Sequence, residues 1–81
     1  MNILKPLSLR VDISTANTVN IGKLVYVFND NAATQLLTTA NTTANTSSIT
    51  LGSKQAIIIQ KTPTDTILGT GCWATNIGFT N

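Results

Sequence analysis

The chain has 81 residues, five Lys or Arg against three Asp, no Glu or His, and one cysteine, so it carries a formal charge of +2 and only 10% charged residues. That inventory excludes an internal disulfide, histidine-bearing zinc sites and histidine-based catalysis. The length allows one domain, 1–81, whose small core leaves it marginally stable unless other subunits support it.

The five bases, Lys5, Arg10, Lys23, Lys54 and Lys61, are scattered without interleaved aromatics, which argues against a nucleic-acid reader. With so little charge, Thr, Asn and Ser must cover the outside. Their hydration changes little with salt because there is no long-range Coulomb attraction to screen, which suits a surface that meets media of variable salinity. The N-terminus has no signal-peptide core, since Arg10 and Asp12 interrupt it, and no run of about 18 apolar residues exists to span a membrane. Synthesis in a cytoplasm is expected, and a free thiol agrees with that.

In chain order, "LSLRVDI" (7–13) alternates, placing Leu7, Leu9, Val11 and Ile13 on one side of a predicted strand whose first edge is Pro6. "KLVYVF" (23–28) is β-branched and aromatic and ends at the turn-forming "NDN". "TQLLT" (34–38) reads as a third strand. The segment that follows holds Thr-Thr-Ala-Asn twice, too short a repeat for a solenoid, and 39–47 is expected to be a polar loop. Its Asn41 and Asn45 sequons read as products of composition.

"SITL" (48–51) and "KQAIIIQ" (54–60) are joined by Gly52-Ser53, a link that predicts a tight hairpin. "KTPTDT" (61–66) predicts a turn at Pro63, followed by the short strand "TIL". "GTGCWATNIGFTN" (69–81) alternates again, with Trp73, Thr75, Ile77 and Phe79 on one face and Cys72, Ala74, Asn76 and Gly78 on the other. Six to seven short strands with turn chemistry between them predict an all-β fold, a small antiparallel β-sandwich or barrel.

Leu24 to Phe28 and Ala56 to Ile59 are apolar without interruption, although a two-layer sandwich dries only one face of each sheet. Either these strands bend into the core along one edge, or another subunit caps the outer face. Capping accords with the small size and low charge.

Catalytic, metal and cofactor sites are not expected. Asp12, Asp30 and Asp65 are far apart, Asp30 reads as a solvated turn residue rather than a calcium ligand, and Cys72 has no histidine to activate it. Cys72 and Trp73 are both expected to pack in the core. The rival reading makes Trp73, with Tyr26, a platform for a sugar or a protein partner.

From "AIIIQKTPTDTI" to "WATNIGFTN" the chain resembles small virion structural proteins of marine tailed bacteriophages. The likeness lies in an aliphatic strand ending at Lys61, Pro63 and Asp65, the aliphatic Ile67, and the "AT-x-x-x-F-T" segment at 74–80. "LRVDI" and "LVYVFNDNAATQLLTTA" look like that family's two strands and its variable Thr- and Ser-rich region. The resemblance implies a non-enzymatic capsid decoration or cement protein, or a neck or tail accessory protein, present in the virion in many symmetric copies. Its partners would be its own copies and coat proteins, with no nucleic acid, membrane, substrate or cofactor. Residues 1–6 then read as an N-terminal arm carrying Ile3 and Leu4 to a neighbour. The candidate partner contacts are Ile3, Leu4, Val25, Val27, Thr42 and Asn45.

Overall fold

The computed structural model describes residues 3–80. They form β1 (Ile3–Pro6), β2 (Val11–Asp12), β3 (Leu24–Asn29), β4 (Gln35–Ala40), β5 (Asn45–Leu51), β6 (Ala56–Gln60), β7 (Thr66–Leu68) and β8 (Cys72–Thr80). A five-stranded sheet runs β1-β8-β3-β6, with β2 also pairing β8, and a three-stranded sheet runs β5-β4-β7. All pairs are antiparallel, and the fold is the all-β sandwich that the strand spacing predicts.

Alternation decides which side chains meet between the sheets. Val25 and Val27 of β3 stand in register with Ile59 and Ile57 of β6, and Val27 also with Ala74 of β8. They pack with Cys72 of the same sheet against Leu37, Leu51 and Ile67 of the other, closed by Ile13 and Val19. Among the described residues no buried side-chain nitrogen or oxygen lacks a partner.

Every connection from β3 onward crosses between sheets except the one joining β4 to β5. The expected hairpin of 48–51 with 54–60 is therefore absent: β5 pairs β4 and β6 pairs β3. The reason is Asn29, fully buried, whose Nδ2 donates to the carbonyls of Leu51 and Gly52 while Lys54 N–H donates to the Asn29 carbonyl. These bonds pull the chain across at residue 52, and positive φ falls on Lys54 rather than on Gly52.

The expected loop at 39–47 is instead the end of β4, a turn, and the start of β5. Asn41 Oδ1 accepts from the N–H groups of Thr43 and Ala44, an Asx turn that reverses the chain. The two Thr-Thr-Ala-Asn copies thus take different structures, the first in β4 up to its Asn and the second in the turn up to its Asn, which opens β5. Opposite Thr39 the register shifts, and Thr46 and Ser47 both hydrogen-bond its hydroxyl.

The N-terminal strand also departs from expectation. Residues 3–6 are no free arm, because they pair with 77–80 of their own chain; Met1 and Asn2 lie outside the described residues. From Pro6 to Val11 five steps face three from Ile77 to Ala74, so two residues are looped out and Leu9 is 88% exposed. The Leu7–Ile13 alternation is therefore not one ladder. Pro6 fits where it stands: Leu7 N–H donates to the Asn76 carbonyl, so Pro6, one residue earlier, faces the free edge where no N–H is needed.

Residues 13–22 close one flank. Asn17 pairs with Ile67, and Gly69 N–H donates to the Ile13 carbonyl. Val19, Asn20 and Ile21 all take left-handed backbone with φ of 53°, 56° and 56°, costly for β-branched residues. Burial of Val19 and the bond from its N–H to Asn17 Oδ1 hold that turn, which leaves Ile21 62% exposed.

Candidate interaction surface

Among the described residues, no second sheet covers the outer face of the five-stranded sheet. Residues paired across a ladder share a side, so the outer rows can be read from the register. Phe28 stands beside Trp73 and Ala56, Tyr26 beside Thr75 and Ile58, Leu24 beside Ile77, and Leu4 beside Phe79. Leu4, Tyr26, Ile58 and Phe79 are exposed, Leu24, Phe28 and Trp73 half-buried. The result is a largely apolar face, in which Ile77 is buried by its neighbours and Thr75 and Gln60 are the polar members.

At one corner the Arg10 guanidinium lies 4.1 Å from the centre of the Trp73 ring, a cation–π contact, and Asp12 stands beside Trp73 in register. Trp73 is thus on the outer face rather than in the core, a correction to the expectation from alternation. Cys72 does lie in the core, and burial raises its thiol pKa. The bond from Ser14 N–H to Asp12 Oδ1 holds the Asp12 carboxyl below its ordinary value. Asp30 is held below its own by Lys54, whose Nζ lies 2.7 Å from Asp30 Oδ1.

The turn predicted at Pro63 forms, with Asp65 N–H donating to the Thr62 carbonyl. Lys61 supports it from inside. Only 6% exposed, its Nζ donates to the carbonyls of Thr62, Pro63 and Asp65 at 3.4, 3.0 and 2.9 Å, and burial lowers its pKa. These carbonyls fully occupy the ammonium, so Lys61 reads as a brace for the turn.

On the flank opposite residues 13–22 the sandwich stays open. A cleft of about 260 Å³ lies between the edges β5 and β6, floored by Leu37, Ile49 and Ile59 and walled by Thr39 and Ser47. It holds no charged side chain. Among the described residues no three of His, Cys, Asp or Glu gather as a metal site would require.

The sequence-selected contact residues do not converge. Ile3 and Leu4 are exposed on β1, Thr42 sits in the β4–β5 turn and Asn45 begins β5 in the other sheet. Val25 and Val27 are fully buried between the sheets and cannot touch a partner. Their outward neighbours Tyr26 and Phe28, with Ile58 and Phe79, form the surface instead. The signal for them was parity: once Val25 and Val27 face inward, Tyr26 and Phe28 must face out. No family model, curated protein or solved structure shows a significant match to the chain.

Proposed function

We propose that this chain is a non-enzymatic structural protein of a tailed-phage virion, a capsid decoration module that associates with its own copies and with coat protein. The observation that carries the reading is the uncovered apolar face bearing Leu4, Tyr26, Ile58 and Phe79. Water disfavours such a contiguous face, and burying it against another protein is the ordinary way to remove that cost. The low charge and the resemblance of residues 56–81 support the same reading. A place at the neck or tail would use the same surface.

The test is to add purified protein to empty capsids and to follow its mass by light scattering. Self-association together with saturable binding to shells is the expected result. A freely soluble monomer indifferent to shells and to its own copies overturns the proposal.

A second reading has its own observation. Trp73 and Tyr26 share the outer face, with Arg10 beside the indole, an arrangement compatible with stacking on a sugar ring in a host-attachment module. Titration with glycans while recording tryptophan emission separates the two. Saturable quenching lost in Trp73→Ala favours the sugar, and emission indifferent to glycans favours the virion surface.

A further inference from the structure

The free edges of the five-stranded sheet differ. At β1 the outward positions belong to Leu4 and Pro6, and proline offers no N–H, so that edge is blunted. At β6 the hydrogen bonds from Lys61 N–H to the Lys23 carbonyl and from Asn29 N–H to the Gln55 carbonyl fix which residues face β3. By the alternation of antiparallel ladders Ile57 and Ile59 bond to β3, and Ala56, Ile58 and Gln60 turn their N–H and C=O groups outward. None of these outward groups has a partner among the described residues. The strand "AIIIQ" has no proline, no charge and no bulge, the kind of edge that templates further pairing.

We infer that β6 is a self-association edge, pairing antiparallel with β6 of a second copy about a two-fold axis through Ile58. The sequence fits itself in this register. Ile58 meets Ile58, Ala56 meets Gln60, and Ile57 meets Ile59, so every outward N–H finds a carbonyl. The flanking lysines do not collide: Lys54 comes opposite Thr62, and Lys61 opposite Gln55. The apolar outer faces then join across the seam through Ile58, with Tyr26 beside it in register. The Ile57 and Ile59 pairs close beside the open cleft.

This inference rests on the reading of the chain as an assembling structural protein, and it names the edge by which copies meet. It is tested on the full chain by sedimentation and by amide hydrogen exchange. The wild type is expected to be a dimer in which the amides of Ala56, Ile58 and Gln60 exchange slowly in concentrated solution and rapidly on dilution. The outward amide of Leu4 exchanges rapidly in both.

Ile58→Pro removes an outward N–H and no bond to β3, as Pro6 already does in β1. It is expected to keep the strand signal in circular dichroism and to weaken self-association about a hundredfold, the effect of losing a reciprocal pair of hydrogen bonds. The inference is overturned by a wild type that stays monomeric, by a dimer whose β6 amides exchange at the same rate at all concentrations, or by a folded Ile58→Pro that still dimerises fully. Capsid binding is scored separately. A dimer that ignores capsids removes the virion reading and leaves this edge standing, whereas a capsid-binding monomer does the reverse.

Discussion

The two sheets share one core but present opposite outer faces. The five-stranded sheet shows Leu4, Tyr26, Phe28, Ile58, Trp73 and Phe79, whereas the three-stranded sheet shows mainly Thr38, Ala40, Ser48, Thr50 and Thr66, with Leu36 and Leu68 as its only large apolar side chains. Folding requires an apolar inner face of each and makes no demand on the outer one. The hydroxyl face is therefore what this fold looks like when it only meets water. The aromatic face departs from that baseline, and it is the side on which the proposed assembly would make contact.

The largest expected effects come from placing one lysine in each environment. Val25→Lys puts a charge among fully buried aliphatic side chains with no partner, at a cost of about 3–5 kcal/mol, comparable to the whole stability of so small a domain. It should abolish the cooperative thermal transition. Tyr26→Lys, one residue away and on the outer face, should leave the fold within about 1 kcal/mol and abolish assembly. Thr50→Lys on the hydroxyl face should alter neither. If Thr50→Lys blocks assembly while Tyr26→Lys does not, the two faces have been assigned the wrong way round.

Asn29 is where the two sheets are tied. Its Nδ2 reaches the carbonyls of Ala33, Leu51 and Gly52, and its Oδ1 accepts from Asn31 N–H. Asn29→Ala strands these groups, with an expected loss of about 2–3 kcal/mol in urea unfolding. Asn29→Asp should be worse, because it sets a carboxylate against the same carbonyls. A clearly smaller loss for Asn29→Asp, which keeps the side-chain volume, than for Asn29→Ala would show that volume, not donation, holds the crossing.

Much of this architecture was legible in the sequence, and the failures have physical causes. Uninterrupted β-branched and aromatic runs located β3 and β6, and alternation split β8 correctly into two faces. Alternation cannot say which face of a strand turns inward when both are apolar, and only the register shows that Cys72 faces the core and Trp73 the outside. In β5 the residues Asn45 to Thr50 are all exposed, and what makes them a strand is pairing with β4, which leaves no hydrophobic period to read. The β5–β6 hairpin failed because the choice of partner was made by Asn29, far away in sequence. The outer apolar face was legible as an excess of greasy residues, but its membership needed the register.

The left-handed turn offers a gain rather than a loss. Ile21→Gly removes an exposed side chain from a backbone region that glycine adopts freely, and relief of strain should exceed the added flexibility of the unfolded chain. An increase of about 0.5–1 kcal/mol in unfolding free energy is expected. Because the turn belongs to the closed flank, dimerisation through β6 should not change. A loss of stability would show that Ile21 makes contacts worth more than the strain.

The smallest effect concerns the exposed pair Asp30 and Lys54, on the segments that cross between the sheets. The Asp30 carboxyl titrates below its ordinary value of 3.8, chiefly because Lys54 Nζ donates to its ionised form. The folded state thus favours the carboxylate. Its contribution to stability is fully present above the unfolded value and is lost as pH falls through 3.8 toward the lower folded value. Asp30→Asn has no such contribution to lose. The stability difference between wild type and Asp30→Asn should therefore be small and constant near neutrality, shrink as the solution is acidified through this range, and be reduced by 1 M salt, where the screening length is about 3 Å. The lowered Asp12 is common to both proteins and cancels from the comparison. A difference that persists unchanged in acid would mean that the asparagine acts through turn geometry, since Asp30 would then contribute nothing through its charge.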